Sequence, residues 1–219
     1  MSDLISAHGR VLAHLDMYLT DHGLVRSIYN NFYPLGDGMY RCSQPSPTQI
    51  RRYHQKFGIR SIVNLRGEHG FGSYALEVEL CQKLDLTLHD LRVYSRTAPT
   101  PAEVHATREL FDHLSYPALL HCKSGADRAG LASVLYRHFR MDEPIDLAVQ
   151  QLGPRYGHFK WAQTGVLDAF FAQYLDFNAR APISFLDWLD RHYDPDALNS
   201  RYCPRRWSEW LLNRVLQRE

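Results

Sequence analysis

Residues 121–130 read HCKSGADRAG, and Cys122 and Arg128 stand six positions apart within this stretch. Residues 118–122 complete an apolar run and are predicted as a buried strand. Residues 129–139 place apolar side chains on one face, which predicts a helix. The cysteine is therefore expected at the carboxyl end of a strand, followed by a short loop and the start of a helix.

The same alternation of strand and helix extends towards the N-terminus. Strands are predicted at residues 39–42, 60–65, 86–93 and 118–122, and helices at residues 46–58, 74–84, from 100 onward, and 129–139. This order predicts an α/β fold with a central, mostly parallel sheet of four to five strands, flanked by helices.

Both ends of the chain are predicted to be helical. Helical patterns cover residues 4–31 and, after the α/β part, residues 144–152, 163–178, 183–192 and 205–217. We expect a single domain over residues 1–219. It consists of an N-terminal extension over about residues 1–35, an α/β core over about 36–178, and C-terminal helices over about 179–219.

Composition excludes several functional classes. The net charge of +1 gives no basic field for nucleic acid. The four cysteines suggest neither a disulfide framework nor a metal site, and the N-terminus lacks the long apolar run of a signal peptide or membrane span. We therefore expect a cytoplasmic protein with reduced thiols and no metal or other cofactor.

The loop after the predicted strand has the chemistry of an anion site. Ligands of open α/β sheets bind beyond the carboxyl ends of the strands. Successive backbone N–H groups of residues 123–127, ending at a helix N-terminus, would bind a tetrahedral anion. The same positive field favours a thiolate at Cys122, and Arg128 offers two parallel donors to phosphate oxygens. This combination is typical of phosphoryl transfer through a covalent intermediate.

The stretch His121–Arg128 resembles the HCxxGxxR signature of the cysteine-dependent protein tyrosine phosphatase superfamily. The wider chain is similar to bacterial members of the dual-specificity group over roughly residues 38–175, including residues 39–45 and 58–66. The resemblance implies a protein tyrosine phosphatase-like fold and a reaction without metal or cofactor. It also implies that Cys122 is the nucleophile and Arg128 the clamp on the phosphoryl oxygens. His121 is expected to orient the loop.

The resemblance leaves the proton donor open. The family commonly supplies an aspartic acid about thirty residues before the cysteine, which by counting is Asp90, but the loop at residues 94–99 has no carboxylate. Asp127 resembles the acid of myotubularin-type lipid phosphatases and of some bacterial phosphatases. A carboxylate beside bound phosphate favours its protonated form, so Asp127 is the first candidate and Asp90 the alternative.

The remaining loop residues are candidates for binding the phosphoryl group. These are Lys123, Ser124, Gly125 and Ala126, joined by Arg66, which is predicted at the end of a neighbouring strand. In the family, a basic residue at the position of Lys123 is associated with phosphoinositides and other highly phosphorylated substrates. The expected partner is therefore a phosphoprotein or a phosphorylated lipid or inositol, and contact with a membrane surface is left open.

One position departs from the family pattern and keeps an alternative function open. Ala129 occupies the place of a serine or threonine whose hydroxyl stabilises the departing thiolate. The chain is predicted to be a phosphomonoesterase with a phosphocysteine intermediate. The alternative is a phosphate-recognition module with little turnover, and a third reading is sulfur transfer of the rhodanese type.

Overall fold

The structure, a computed structural model, describes residues 30–70 and 72–202. The helices predicted before residue 30 and at residues 205–217 lie outside the described residues. The described chain divides into two compact units, one of residues up to 93 together with 112–129, and one of residues 94–111 together with 130–202. The two units are described separately.

The elements of the described chain follow in sequence order. The strands are β1 (Tyr33–Gly36), β2 (Met39–Ser43), β3 (Ser61–Asn64), β4 (Thr87–Asp90) and β5 (Ala118–Cys122). The helices are α1 (Pro47–Phe57), α2 (Gly72–Leu84), α3 (Pro101–His113), α4 (Asp127–Met141), α5 (Ile145–Ala148), α6 (Val166–Arg180), α7 (Phe185–Arg191) and α8 (Pro195–Arg201). Three single 3₁₀ turns, Val149–Gln151, Pro154–Tyr156 and Gln163–Gly165, lie between α5 and α6.

The first unit contains a five-stranded sheet, counted over the described residues, with the order β1-β2-β5-β3-β4. β2, β5, β3 and β4 run parallel, and β1 pairs antiparallel with β2. The prediction of a mostly parallel sheet within an α/β fold is confirmed. β5 is the middle strand of the sheet, and all five of its residues are buried, as expected of a central strand in a parallel sheet.

The strand β1 was not predicted. It forms a hairpin with β2 through Asp37 and Gly38, whose φ angles of 45° and 77° suit a tight two-residue turn. Pro34 lies within β1 and is exposed, as is typical of a proline in an edge strand.

Helices α1 and α2 pack on one face of the sheet. Their buried residues share one apolar cluster with the strands, formed by Cys42, Ile50, Tyr53, Ile59, Ile62, Leu80, Cys81, Leu86 and Leu119. The predicted capping box at the start of α1 is confirmed, because the Ser46 side chain accepts from Gln49 N while the Gln49 side chain accepts from Ser46 N. The helix ends at Gly58, whose φ of 67° is the left-handed conformation that glycine adopts without strain.

The second unit has an aromatic core. Rings from α6, α7 and the residues that follow α7 contact one another, namely Phe170, Phe171, Tyr174, Phe185, Trp188 and Tyr193. The helices predicted at residues 163–178 and 183–192 are confirmed within a few residues, whereas residues 144–152 form the short α5 followed by a 3₁₀ turn. None of the helices in the described parts of the chain is long and apolar enough to cross a bilayer.

Candidate active site

The parallel strands end together at one edge of the sheet. Ser43 at the end of β2 is the register partner of Cys122 at the end of β5. Asn64 at the end of β3 pairs with His121 on one side and with Asp90 at the end of β4 on the other. The residues that follow these strands therefore gather at one edge, which is where open α/β sheets bind ligands.

The loop over residues 122–128, called here the signature loop, is held from outside by its carbonyl groups. The carbonyl oxygen of Lys123 accepts from the backbone N–H of Gln44 at 3.2 Å. The carbonyl oxygen of Ser124 accepts from the side-chain amide of Asn31 at 3.2 Å. Both donors come from the hairpin region, about eighty to ninety residues earlier, so the loop conformation depends on long-range contacts.

Arg41 continues this row of donors. Its side chain is fully buried on β2, and one terminal nitrogen donates to the carbonyl oxygens of Gly125 at 2.8 Å and Ala126 at 3.2 Å. A buried guanidinium is costly unless its hydrogen bonds are satisfied, and these carbonyl groups satisfy part of that requirement. Arg41 thereby binds the two carbonyl groups that follow those bound by Gln44 and Asn31.

The N–H groups of the signature loop point the other way. In a peptide unit the carbonyl of one residue and the N–H of the next lie on opposite sides. Because the carbonyl groups of residues 123–126 face their donors, the N–H groups of residues 124–127 face the inside of the loop. One of them, the N–H of Gly125, donates to Cys122 Sγ at 3.2 Å. Inward N–H groups of this kind form a nest for anions and stabilise a thiolate.

Gly125 is required by this close approach. Its φ is 73°, and a Cβ atom at this position would lie 2.7 Å from Ser43 N and 2.8 Å from the carbonyl carbon of Cys42. Real Cβ atoms do not approach backbone atoms so closely. A residue with a side chain would push the loop away from β2 and break the row of carbonyl contacts.

Asp127 and Arg128 form the first turn of α4. Asp127 is 9% exposed and Arg128 is half-buried. The positive end of the helix therefore adds to the field of the inward N–H groups. The structure thus places the whole predicted set Cys122–Arg128 in one strand–loop–helix unit, as the sequence indicated.

Comparison with solved structures identifies this architecture. P. aeruginosa TpbA matches with a TM-score of 0.54 and 17% identity, over 80% of this chain and 91% of TpbA. The core catalytic domain of the PP-IP phosphatase SIW14 from S. cerevisiae matches with a TM-score of 0.52 and 14% identity, over 71% of this chain and 96% of that domain. The chain has the fold of the cysteine-dependent protein tyrosine phosphatases. No protein-family model and no curated protein sequence matches it.

Within this phosphatase fold, Asp90 lies outside the signature loop and is bound on both oxygens. One carboxylate oxygen accepts from the Asn64 side chain at 2.7 Å, and the other accepts from the Tyr74 hydroxyl at 2.6 Å. Burial and the hydrogen bond to Asp90 raise the pKa of Tyr74 well above its ordinary value, so this hydroxyl stays a donor. Both oxygens that could deliver a proton are therefore engaged with neighbouring side chains.

Arg66 was expected as a charge at the rim of the site. In the structure its side chain is buried, and its Nη1 donates to the side-chain oxygen of Gln44 at 2.9 Å. Since the backbone of Gln44 binds Lys123, Arg66 is linked to the signature loop through one residue. The backbone N–H of Leu65 also donates to the carbonyl of His121 at 2.9 Å, which fixes the end of β3 against β5.

Several buried polar residues near the signature loop were not singled out from the sequence. Among them are Asn31, Arg41, Gln44 and Glu77. The sequence does contain a pattern that could have identified Glu77. It lies on the apolar face of α2 beside Leu76 and Leu80, where a carboxylate requires a partner. Arg41 and Gln44 stand within the stretch 39–45 that carries part of the family resemblance, but no pattern there shows that their side chains are buried.

Proposed function

We propose that the chain is a cysteine-dependent phosphomonoesterase that works through a phosphocysteine intermediate. The observation that carries the proposal is the signature loop, in which four consecutive carbonyl groups are bound from outside while the Gly125 N–H donates to Cys122 Sγ. A thiolate at the floor of an anion nest is suited to attack on phosphorus.

The reaction has two steps. In the first, Cys122 Sγ attacks phosphorus, the bond from phosphorus to the ester oxygen breaks, and the leaving oxygen takes a proton from Asp127. In the second, water attacks phosphorus, the phosphorus–sulfur bond breaks, and Asp127 takes a proton from the water. Arg128 and the inward N–H groups hold the equatorial oxygens in both steps.

Asp127 is preferred to Asp90 as the proton donor in this proposal. Asp127 belongs to the same turn as Arg128, directly after the loop that would hold the phosphoryl group. Asp90 has both oxygens occupied by Asn64 and Tyr74. A general acid must reach the leaving oxygen within hydrogen-bond distance, and the position of Asp127 favours this.

The neighbours in fold suggest which substrates to test first. A Cys-to-Ser variant of TpbA was solved in complex with phosphotyrosine, and SIW14 is a PP-IP phosphatase. Lys123 is half-buried beside the nucleophile and adds a positive charge for a substrate with several phosphates. We therefore propose a phosphorylated protein, lipid or inositol as substrate.

The test is phosphate release from phosphotyrosine peptides, phosphoserine peptides, phosphoinositides and soluble inositol phosphates and pyrophosphates. Wild type is measured beside Asp127→Asn and Asp90→Asn. We expect Asp127→Asn to lower kcat by about 10²–10⁴-fold on substrates with poor leaving groups, with little change for Asp90→Asn. Equal losses in both variants, or a loss confined to Asp90→Asn, would overturn the assignment of the acid.

A second function, phosphate recognition with little turnover, is favoured by one observation. Ala129 is fully buried at the start of α4 and has no hydroxyl to stabilise the departing thiolate. Rapid acid quench followed by mass spectrometry of the Cys122 peptide separates the two functions. A phosphoenzyme that forms and decays supports the phosphatase, whereas tight phosphate binding without any phosphoenzyme supports the recognition module.

A further inference from the structure

A buried carboxylate lies behind the signature loop. Glu77 on α2 is 1% exposed. One of its carboxylate oxygens faces Gln44, which contacts the loop, and the other faces His121, which precedes Cys122. Oε2 accepts from the side-chain nitrogen of Gln44 at 3.1 Å. Oε1 lies 2.9 Å from Nε2 of His121, which is itself fully buried. Burying a carboxylate costs free energy unless its partners compensate for the lost solvation, and Gln44 and His121 are the partners that Glu77 has here.

The Gln44 side chain joins Glu77 to Arg66. Its nitrogen donates to Glu77 and its oxygen accepts from Arg66 Nη1, and this pair of partners fixes the orientation of the amide. The backbone N–H of the same residue donates to the carbonyl of Lys123. Gln44 is therefore the point at which the carboxylate, the buried guanidinium and the signature loop meet.

The other oxygen of Glu77 acts on the residue before the nucleophile. A carboxylate oxygen accepts, so the 2.9 Å approach favours the tautomer of His121 with its hydrogen on the facing nitrogen, Nε2. The approach is bent away from hydrogen-bond geometry, which makes it mainly an electrostatic contact. His121 immediately precedes Cys122 on β5, so the ring orientation is coupled to the end of the strand that presents the sulfur.

We infer that Glu77 is a positioning residue for the anion site, acting through Gln44 on Arg66 and Lys123 and through its charge on His121. This inference rests on the proposed function, because it concerns the same site. The negative charge sets the hydrogen position on His121, and the hydrogen bond holds Gln44 where its backbone binds the signature loop. Without the carboxylate, neither the Gln44 side chain nor the His121 ring is held in a defined orientation.

The variant Glu77→Gln tests the charge while keeping the shape. If the new amide keeps its oxygen towards Gln44, its NH₂ group faces His121 and forces the imidazole hydrogen from Nε2 to Nδ1. The ¹⁵N chemical shifts of the His121 ring report this change directly, and a merely structural role would not move them. We expect Glu77→Gln to change the His121 signals and to weaken the binding of inorganic phosphate by about tenfold.

The matched control is Glu79→Gln. It makes the same chemical change on the same helix, at a residue paired with Lys83 at the surface. We expect it to leave phosphate affinity and the His121 signals unchanged. If a folded Glu77→Gln variant behaves like this control in both measurements, the inference is overturned.

A second variant keeps the test decisive if Glu77→Gln does not fold. Gln44→Met removes the bridge to Arg66 but leaves the contact between Glu77 and His121. We expect a weaker affinity for inorganic phosphate together with unchanged His121 signals, and an unchanged affinity would overturn the relay through Gln44. These readouts require no turnover. Wild type that binds phosphate but hydrolyses nothing would contradict the phosphatase proposal alone.

Discussion

Two cysteines lie near the carboxyl ends of neighbouring strands of the sheet, and their surroundings differ in kind. Cys42 on β2 is 1% exposed and Cys122 on β5 is 2% exposed, and their positions differ by one step in the strand register. Cys42 belongs to the apolar cluster with Ile50 and Leu80, whereas Cys122 Sγ accepts a hydrogen bond from the backbone N–H of Gly125. Because side chains alternate along a strand, this single step sends one sulfur into the core and the other into the loop.

The difference shows that two equally buried thiols can have different electrostatic surroundings. Burial and the nearby charge of Glu77 raise the pKa of Cys42 well above the ordinary thiol value, so Cys42 stays protonated. Cys122 is equally enclosed, but a backbone N–H is directed at its sulfur. What separates the two cysteines is a donor that stabilises negative charge.

The largest effect is expected when each cysteine is removed in turn. Cys122→Ser should lower kcat by about 10⁴-fold or more, because the hydroxyl is a far weaker nucleophile than the thiolate at neutral pH. Cys42→Ala should keep kcat within a few-fold and cost roughly 1–2 kcal/mol of stability through the lost packing. Steady-state hydrolysis and urea unfolding measure both, and comparable activity losses in the two variants would contradict the distinction.

The next effect concerns the glycine that brings the loop against β2. Gly125→Ala should weaken phosphate binding by about 2–3 kcal/mol, roughly 100-fold, because its Cβ would collide with the backbone of Cys42 and Ser43. Gly58→Ala is the matched control, since its φ of 67° is similar but no atom lies within 4 Å of the added Cβ. Both variants share a backbone strain of about 1 kcal/mol, which thermal unfolding measures. Titration with inorganic phosphate then shows the effect of the collision, which only Gly125→Ala has.

A smaller effect is expected at Arg41, which precedes Cys42 and binds the loop that follows Cys122. Arg41→Lys keeps the charge but loses the guanidinium nitrogen that donates to the carbonyl groups of both Gly125 and Ala126. We expect about a tenfold loss in kcat/KM, matching one charged hydrogen bond. The exposed Arg60→Lys serves as control. An equal loss of activity in the control, or no loss in Arg41→Lys, would contradict the prediction that Arg41 supports the loop.

A separate effect, on stability and not on binding or activity, is a change in its pH dependence. Because the folded protein holds the Cys42 proton above the ordinary thiol pKa, the unfolded state deprotonates first, and the free energy of unfolding falls as the pH rises past about 8.5. Each such thiol contributes a slope of up to about 1.4 kcal/mol per pH unit. Cys81, whose pKa burial raises to about 12, contributes in the same direction.

Urea unfolding of Cys42→Ala between pH 8.5 and 10 checks this expectation. The decline in stability should become shallower than in wild type, with the part due to Cys81 remaining. An unchanged slope would mean that Cys42 titrates alike in both states, and the contrast between the two cysteines would then rest on the donor at Cys122 alone.

The sequence predicted the parts of the fold that are local. The parallel strands β3 and β5 follow from apolar runs, and α1 follows from its capping box. β1 was missed because Pro34 interrupts a short edge strand, whose exposed backbone needs little apolar pattern. α8 was also missed, although Asp194 followed by a proline is a readable helix start, and its side chain does accept from Asp196 N and Ala197 N.

The same division holds at the site. The set from Cys122 to Arg128 is contiguous, so its spacing alone indicates an anion-binding loop. The residues that hold the loop from outside are distant in sequence, since Asn31 and Arg41 precede their acceptors by 93 and 84 residues. A buried arginine in a strand has no sequence pattern of its own, because only its distant carbonyl partners explain its burial.

These long separations have a consequence for how the protein folds. The donors of the hairpin region are synthesised well before the signature loop, so neither half of the chain can form the anion nest by itself. Closure of the nest must await the pairing of β2 with β5, a contact of high sequence separation that is slow to form. Under the proposed function, inorganic phosphate binds only after that pairing. It should therefore shift the folding equilibrium of the whole sheet, and the shift should grow with the logarithm of the phosphate concentration.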